Sequence, residues 1–322
     1  MLMNKKPILI VAGEPYSIFS EIFFKSLKKI FLRRPLILIA SKQLFTKQMK
    51  KLGYKFKFNK IDKKLSSKIL IKKKTINIID VDFNFEKTFD KISDKSNEYI
   101  GECFSLANKL LKSKKAYALI NGPISKKNFL KTKFLGVTEY LAQMNKTKNY
   151  AMLIYNKNLS VSPLTTHIPV KKISSQISKE KIFNQVILIK KFYKSFLKKN
   201  IKIAITGLNP HCESNYMDSE EKKIINPIIK KLIKKNFKIE GPLPADSLFM
   251  RNNIKKFDVV IGMYHDQVLT PIKTIYNFDA INITLGLPFI RISPDHGTNN
   301  KMLGKNKSDA SSLISAIKFL NN

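Results

Sequence analysis

The chain has 322 residues, and its 60 Lys and Arg against 23 Asp and Glu give a formal net charge of +37 at pH 7 with His neutral. This length fits two domains or one large α/β domain, and a hydrophobic content of 43% excludes disorder throughout. No apolar run approaches the roughly 18–20 residues of a membrane span. The apolar stretch after Lys5 and Lys6 is cut short by Glu14, so we expect neither a membrane segment nor a signal peptide.

Short apolar runs alternate with segments of helical periodicity along the chain. The runs predict buried strands, in chain order, at 8–12, 36–40, 76–81, 116–120, 150–155, 159–164, 201–206 and 259–261. The periodic segments predict helices at 18–31, in the Lys- and Gln-rich stretch that ends at residue 52, and at 97–111, 178–197, 219–235 and 308–320. The Lys-rich segment 60–74 has the most loop-like composition. This alternation predicts an α/β protein with a largely parallel sheet.

Five polar clusters that are rich in Gly, Pro or His follow predicted strands. They lie at 13–15, 121–123, 165–167, 207–211 and 262–266. Because open α/β sheets bind ligands at the carboxyl ends of their strands, this placement predicts a functional site built from these loops.

Three of the four histidines, His167, His211 and His265, lie in these clusters, and His296 lies in a similar polar segment. Neutral imidazole is the commonest nitrogen ligand of metals, and three imidazoles with one open position are typical of a catalytic divalent metal site. The three residues are separated by 44 and 54 positions, so no compact motif joins them. The prediction of a metal site therefore depends on the fold bringing them together.

The excess positive charge comes almost entirely from lysine, because only Arg33, Arg34, Arg251 and Arg291 are arginine. Proteins that bind nucleic acids favour Arg, whose planar guanidinium makes bidentate contacts. The chain is also rich in Ile, Asn and Phe, which indicates a general drift in composition. We interpret the lysines as a solvated surface and expect no nucleic-acid partner, with a polyanion-binding surface as the alternative.

Two cysteines, Cys103 and Cys212, are too few for a disulfide framework. Chains without such a framework are typical of reducing compartments. We therefore expect a cytoplasmic protein.

Eight short segments match one family in order and over nearly the whole chain. They are GEP at 13–15, GPISK at 122–126, TTHIP at 165–169, GLNPH at 207–211, GPLPADS at 241–247, YHDQ at 264–267, INITLGLP at 281–288 and RISPDHGT at 291–298. A single segment of this length would be weak evidence, whereas the ordered set is specific. In these residues the chain resembles the 4-hydroxythreonine-4-phosphate dehydrogenase family of pyridoxal phosphate biosynthesis.

The resemblance implies roles for individual residues. It implies that the metal ligands are His167, His211 and His265, in agreement with the interpretation of the histidines above. It implies that the substrate-contacting residues are Thr138, Lys273, Asn282 and Arg291, and that the acidic residues close to the metal are Asp246 and Asp266. The candidates for the general base are Asp246, Asp266 and Lys273. The implied dinucleotide loop is His296-Gly297-Thr298, so the absence of a Gly-x-Gly-x-x-Gly fingerprint is expected.

The same resemblance implies the fold, since the family is related to the isocitrate and isopropylmalate dehydrogenases. We expect two α/β/α domains flanking a central cleft. Residues 1–115 and 275–322 would form a terminal domain with the dinucleotide loop, and residues 116–274 a middle domain with the metal-ligand histidines and the dimer contacts. The family is a homodimer, and its site is expected to take one metal ligand from the second subunit.

The implied activity is a metal-dependent oxidation linked to NAD or NADP. The substrate would be 4-phosphohydroxy-L-threonine, oxidised at its C3 hydroxyl and then decarboxylated to 3-amino-2-oxopropyl phosphate. One divalent ion per site, Zn, Mg or Co, would lower the pKa of that hydroxyl. Arg291 suits the phosphate through paired donors, with Lys273 as a point charge.

Several departures from the family pattern bear on substrate and cofactor preference rather than on reaction type. Val137 stands where the family usually has His, so a substrate-contacting imidazole is replaced by an apolar side chain. The stretch 212–215 is one residue shorter than usual and lacks the usual glycines. Larger or polar side chains also replace the family pattern at Tyr16, Ser17, Phe19, Asn299, Asn300 and Lys301.

Three alternatives remain open at this point. A dehydrogenase of the same family could act on a 4-phosphorylated sugar acid such as threonate 4-phosphate, and Val137 favours this alternative. A metal-dependent hydrolase also uses three histidines and an open position, although it would leave the His-Gly-Thr segment unexplained. A basic RNA-binding protein would need exposed aromatic side chains among its lysines.

Overall fold

The computed structural model describes residues 5–66, 69, 71–72, 74–131, 133–212, 217–276 and 280–321. The chain divides into two compact units, a terminal unit of Met1–Asn145 with Leu287–Asn322 and a middle unit of Lys146–Gly286. The middle unit begins at residue 146, whereas the sequence suggested 116, because residues 118–121 pair within the terminal sheet and Leu141 packs in the terminal core. It ends at residue 286, whereas the sequence suggested 274.

Strands and helices alternate through most of the described chain. The strands are β1 (Ile8–Val11), β2 (Leu36–Ala40), β3 (Lys57–Lys60), β4 (Thr75–Asp80), β5 (Ala118–Asn121), β6 (Ala151–Tyr155), β7 (Ser160–Thr165), β8 (Ile203–Thr206), β9 (Ile239–Leu243), β10 (Val259–Tyr264), β11 (Ile281–Leu285) and β12 (Ile290–Ser293). The α-helices are α1 (Phe19–Lys29), α2 (Lys42–Lys51), α3 (Asn97–Lys112), α4 (Val137–Met144), α5 (Ile173–Gln176), α6 (Lys179–Ser195), α7 (Asn226–Lys234), α8 (Ala245–Leu248), α9 (Arg251–Ile254), α10 (His265–Tyr276) and α11 (Ser311–Asn321). Two π-helical turns lie at Lys126–Leu130 and Glu221–Ile225.

The terminal unit is built on six parallel strands in the order β3-β4-β2-β1-β5-β12. Every residue of β1 and β2 is buried, as expected for the central strands of a parallel sheet covered on both faces. Leu9 and Val11 pack in one core cluster with Ile100 and Phe104 of α3. The apolar runs that predicted these strands therefore form the centre of this unit.

The middle unit combines antiparallel and parallel pairing. β11 pairs with β6 and β6 with β7 in antiparallel fashion. β7, β10, β8 and β9 then follow in that order, all parallel. The predicted α/β class with a largely parallel sheet is thus confirmed. No helix in the described ranges is long and apolar enough to cross a membrane.

Candidate active site

Four neighbouring strand ends of the middle unit carry candidate catalytic residues. His167 follows β7 by two residues, His265 follows β10 directly, and His211 follows β8 by five residues. Because β7, β10 and β8 are adjacent and parallel, their carboxyl ends share one edge of the sheet, with neighbouring strands about 4.8 Å apart. Asp246 follows the next strand, β9, by three residues. The fold therefore gathers residues that are far apart in the sequence.

His167 and His265 lie close together, with 5.9 Å between their ring centroids. The Nδ1 atom of His265 is 2.6 Å from the Oδ1 atom of Asp266. A carboxylate in this position fixes the orientation of an imidazole and makes its other nitrogen a better metal ligand. Asp266 thus acts on His265 in the structure, and the Nε2 atom of His265 is the nitrogen suited to coordination.

Two of the histidines have an unusual backbone conformation. His167 has φ 47° and His211 has φ 56°, both in the left-handed region, and Cys212 also has φ 56°. Non-glycine residues in this region carry strain and are concentrated at functional sites. The contacts around these turns must therefore hold them in place.

Gln267 joins the ends of β10 and β8. Its Oε1 atom accepts hydrogen bonds from the Thr206 hydroxyl at 2.8 Å and from the Met263 N–H at 2.7 Å. Its Nε2 atom donates to the Gly207 carbonyl at 2.8 Å. These three bonds fix the spacing of the strand ends that carry His265 and His211. No role was predicted for Gln267, although it lies in the YHDQ segment.

The three histidines are a donor set that suits a divalent metal. His167 and His265 offer neighbouring imidazoles, and His211 lies exposed at the end of an adjacent strand. Among the residues that the structure describes, no three His, Cys, Asp or Glu side chains are grouped closely enough to hold an ion.

Asp246 and Lys273, two candidates for the general base, are both exposed. The Oδ1 atom of Asp246 accepts a hydrogen bond from the Ser247 N–H at 2.7 Å, a local contact at the start of α8. Lys273 lies eight residues after His265 in α10, about 12 Å further along the helix axis.

Asn282 lies apart from the histidines in the middle unit. It pairs with Ile154 of β6, which in turn pairs with Val161 near the amino end of β7. Val161 lies four residues before the carboxyl end of β7, about 13 Å along the strand, and His167 follows that end. The Oδ1 atom of Asn282 is buried and has no hydrogen-bond partner in the described chain. An unpaired acceptor of this kind can accept a hydrogen bond from a donor group of a ligand.

Arg291 and Thr138, both predicted to contact substrate, meet in the terminal unit. The Nη1 atom of Arg291 donates to the Thr138 hydroxyl at 3.1 Å, and its Nε atom donates to Oδ1 of Asn121 at 2.7 Å. Arg291 is only 2% exposed, and burial lowers its pKa to about 10, against the opposing effect of Glu139. The guanidinium therefore stays charged at neutral pH and is held in one orientation. Asn121 was not assigned a role from the sequence.

The imidazole of His296 has no partner for either of its ring nitrogens among the described residues, although both nitrogens are buried. Burial lowers the pKa of His296 to about 4, outweighing the opposing effect of the nearby Asp295, so the ring is neutral. The Thr298 carbonyl accepts a hydrogen bond from the Ile18 N–H at 3.2 Å, which places this loop over the start of α1. A Cβ added to Gly297 would meet open space. The unpaired nitrogens of His296 and the space next to Gly297 are features that suit the binding of a dinucleotide.

A buried acid lies at the carboxyl end of β1. Glu14 is 1% exposed, and burial raises its pKa to about 7, although the Ser96 hydroxyl donates to its Oε1 atom at 2.9 Å. Its Oε2 atom has no partner in the described chain. The preceding residue must be glycine, because Gly13 has φ 77° and an added Cβ would lie 2.4 Å from the Pro123 carbonyl oxygen. Glu14 lies in the GEP segment, which was its only signal in the sequence.

Parallel strands covered on both faces, with histidines and acids at their carboxyl ends, define an α/β enzyme whose site is built from loops after the strands. The family model described as "Pyridoxal phosphate biosynthetic protein PdxA" matches residues 32–320. A 4-hydroxythreonine-4-phosphate dehydrogenase from Sulfurihydrogenibium is 40% identical over 317 residues, which cover 97% of this chain and 96% of the relative. The chain belongs to the PdxA family of pyridoxal phosphate biosynthetic proteins and is an oxidoreductase.

Two further comparisons bear on substrate and fold. A protein named "Putative D-threonate 4-phosphate dehydrogenase" from Oceanobacillus iheyensis is 32% identical over 325 residues, covering 98% of this chain and 97% of the relative. The crystal structure of a 4-hydroxythreonine-4-phosphate dehydrogenase from Klebsiella pneumoniae superposes with a TM-score of 0.86 at 28% identity, covering 98% of both chains. The family assignment from the sequence segments is therefore confirmed.

Proposed function

We propose that this chain oxidises the C3 hydroxyl of 4-phosphohydroxy-L-threonine with NAD or NADP as the hydride acceptor. The resulting β-keto acid loses carbon dioxide to give 3-amino-2-oxopropyl phosphate. The observation that carries this proposal is the position of His167, His265 and His211 at the ends of three adjacent parallel strands, in a chain of the PdxA family. An interpretation as a hydrolase or an RNA-binding protein accounts for neither the His-Gly-Thr loop nor the family.

Arg291 and Thr138 would bind the substrate phosphate. A buried guanidinium whose Nε and Nη1 atoms are held by Asn121 and Thr138 is fixed before substrate arrives. Such fixed donors bind a phosphate through short, charge-assisted hydrogen bonds. Lys273, which is exposed, would add a second positive charge, and Asn282 would use its unpaired Oδ1 atom as an acceptor for a substrate donor.

His167, His211 and His265 would hold one divalent ion, Zn, Mg or Co, with ligands shared between two copies of the chain. The bound ion would act as a Lewis acid that lowers the pKa of the substrate hydroxyl. The incomplete donor set of the described chain supports a site completed by a second subunit. Val170, Met217 and Met250, which are 80%, 79% and 61% exposed, lie within six residues of His167, His211 and Asp246. Exposed apolar side chains in the segments that carry the site residues support a homodimer interface there.

The His296-Gly297-Thr298 loop would bind the dinucleotide. The neutral imidazole of His296 offers one donor and one acceptor, both without partners in the described chain. The nicotinamide ring of the bound dinucleotide would accept the hydride. Asp246, Asp266 and Lys273 are the candidates to take the hydroxyl proton, and Asp266 would also orient His265. We expect this chemistry in the cytoplasm, without a nucleic-acid or membrane partner.

The test is the formation of NADH or NADPH, followed at 340 nm, by chelator-treated protein supplied with 4-phosphohydroxy-L-threonine and one divalent metal at a time. Activity that requires a metal and is lost in His211→Ala is the expected result. No absorbance change with any metal would exclude the proposed reaction. Full activity of His211→Ala would exclude the proposed metal ligand alone.

Threonate 4-phosphate is a second candidate substrate, because of Val137. This residue begins α4 beside Thr138 and packs against the terminal core, so it offers no hydrogen bond where the family usually has His. The similarity to the Oceanobacillus protein is in line with this alternative. An assay of both substrates side by side distinguishes them, since the preferred substrate has the higher kcat/KM.

A further inference from the structure

The turn that carries His211 is attached to a buried carboxylate ten residues further along the chain. The Oε1 atom of Glu221 accepts hydrogen bonds from the backbone N–H of Leu208 at 2.7 Å and of Asn209 at 2.9 Å. Its Oε2 atom accepts from the side-chain amide of Asn209 at 2.7 Å. One carboxylate thus binds three N–H groups of the two residues that precede Pro210 and His211.

Glu221 is as buried as a residue of the apolar core, with 1% exposure, and no Lys or Arg in the described ranges forms an ion pair with it. Burying an unpaired carboxylate is costly unless hydrogen bonds replace its water shell. The turn supplies these bonds. Burial alone would raise the pKa of Glu221, but the hydrogen bonds from Asn209 and Leu208 outweigh it and lower the pKa.

The packing around the carboxylate is tight. A Cβ added to Gly207 would lie 3.0 Å from the Oε1 atom of Glu221 and 2.7 Å from the Sγ atom of Cys212. The beginning of the turn, at Gly207, is therefore packed between the Glu221 carboxylate and the end of the turn at Cys212. This matters because His211 and Cys212 are both left-handed, and a strained turn persists only when its surroundings hold it.

The neighbouring acid extends the same network to the segment after His167. The Oε2 atom of Glu220 accepts from the Asn209 side-chain amide at 3.1 Å, and its Oε1 atom accepts from the Ser174 hydroxyl in α5. Ser174 lies seven residues after His167. Glu220 and Glu221 thus meet at Asn209, and together they link the two segments that carry His167 and His211.

We infer that Glu221 is a positioning residue for the metal site, with Glu220 in a secondary role. Glu221 acts through Asn209 and the turn, and it holds the His211 imidazole where a divalent cation needs it. This inference rests on the proposed metal site. Outer residues that orient metal ligands typically change metal affinity about 10- to 100-fold when they are replaced.

The test is Co²⁺ binding to the full-length metal-free protein, measured by calorimetry and by the visible absorbance of bound Co²⁺. Glu221→Gln keeps the shape of the side chain but replaces one acceptor by a donor that opposes the N–H groups. We expect its Kd for Co²⁺ to rise about 10- to 100-fold, with a changed Co²⁺ spectrum. Glu220→Gln should have a smaller effect in the same direction. Glu240→Gln, which removes only an exposed ion pair with Lys202, should bind as the wild type does.

The outcomes separate the two proposals. If wild type and His211→Ala bind Co²⁺ equally, or neither binds it, the metal site itself is excluded and the inference with it. If His211→Ala loses binding while Glu221→Gln keeps the wild-type Kd and spectrum, only the positioning role is excluded, even if the melting temperature falls.

Should Glu221→Gln not fold, Asn209→Ala removes the side-chain link and keeps both backbone bonds. Wild-type Co²⁺ affinity in that variant would overturn the inference, and weaker binding with a retained fold would support it.

Discussion

The Nε atom of Arg291 donates to Oδ1 of Asn121 over 2.7 Å, although 170 residues separate them in the sequence. Arg291 lies on β12 beside β5, and Asn121 is the last residue of β5, so adjacent parallel strands create the contact. The Asn121 amide is itself fixed, because its Nδ2 atom donates to the Gly122 carbonyl at 2.8 Å. The oxygen of Asn121 must therefore face the guanidinium.

Replacing Arg291 by Lys tests the phosphate site. One ammonium group cannot donate to Asn121, Thr138 and a phosphate oxygen at once in the geometry of the guanidinium. Hydrogen bonds to charged groups contribute about 1.5–3 kcal/mol, so we expect the KM for the phosphorylated substrate to rise about 10- to 100-fold. Arg251→Lys, an exposed change at the start of α9, is the matched control. An unchanged KM in Arg291→Lys would remove Arg291 from substrate binding.

Glu14 should make the terminal unit less stable as the pH rises. Its pKa is about 7 in the folded chain against an ordinary 4.5, so the folded state keeps a proton that the unfolded state releases. The free energy of unfolding should therefore fall between about pH 4.5 and pH 7, by about 3 kcal/mol for a shift of this size. Glu14→Gln, which does not titrate, should remove this loss in urea denaturation at pH 5 and pH 8. The exposed Glu86→Gln serves as control, and identical pH profiles of wild type and Glu14→Gln would contradict the prediction.

His296 should make the terminal unit less stable as the pH falls. Its pKa is about 4 in the folded chain against 6.5, so the unfolded state takes up a proton first as the pH falls. The stability it contributes is present above about pH 6.5 and is lost towards pH 4, again by about 3 kcal/mol. His296→Gln should flatten this slope in denaturation experiments between pH 4 and pH 7. A variant that loses stability in acid as steeply as the wild type would show that His296 is not responsible.

Gln267→Ala should loosen the strand ends that carry two of the histidines. The change removes three hydrogen bonds between the ends of β10 and β8. At about 1 kcal/mol each, we expect the free energy of unfolding to fall by about 2–4 kcal/mol. Gln143→Ala, an exposed change on α4, should have little effect in the same thermal or urea denaturation. Equal stability of the two variants would show that the contacts of Gln267 do not stabilise the middle unit.

The elements predicted from apolar runs are those that the structure buries. β2 has the predicted bounds, and β6 and β7 lie within one residue of the predicted bounds. β3 was not predicted because its four residues are polar or only half-buried. β9 was not predicted either, because it contains Gly241 and Pro242, which usually interrupt strands. α10 begins at His265 and contains Pro271, so its sequence has the composition of a loop.

The candidate site could be predicted only in part. His167, His211 and His265 were recognisable because each follows an apolar run, and strand order then brings the ends of these runs together. Gln267 and Glu221 could not be found in this way. Each makes its contacts through residues of another strand or loop, and neither residue type stands out in a polar segment. Such contacts depend on which strands and loops become neighbours in the fold, and the residues next to Gln267 or Glu221 in the sequence do not show this.

The order β7-β10-β8 has a consequence for the synthesis of the chain. β10 lies between two strands that precede it, and β8 is complete more than fifty residues before β10 begins. Until the ribosome has released residues 259–264, β7 and β8 cannot be joined through their central partner. Each then has an edge of unpaired N–H and carbonyl groups, the kind of edge on which chains aggregate. A fragment that stops before residue 259 should therefore accumulate as an insoluble product, and the segments that carry His167 and His211 can be joined only after β10 has been made.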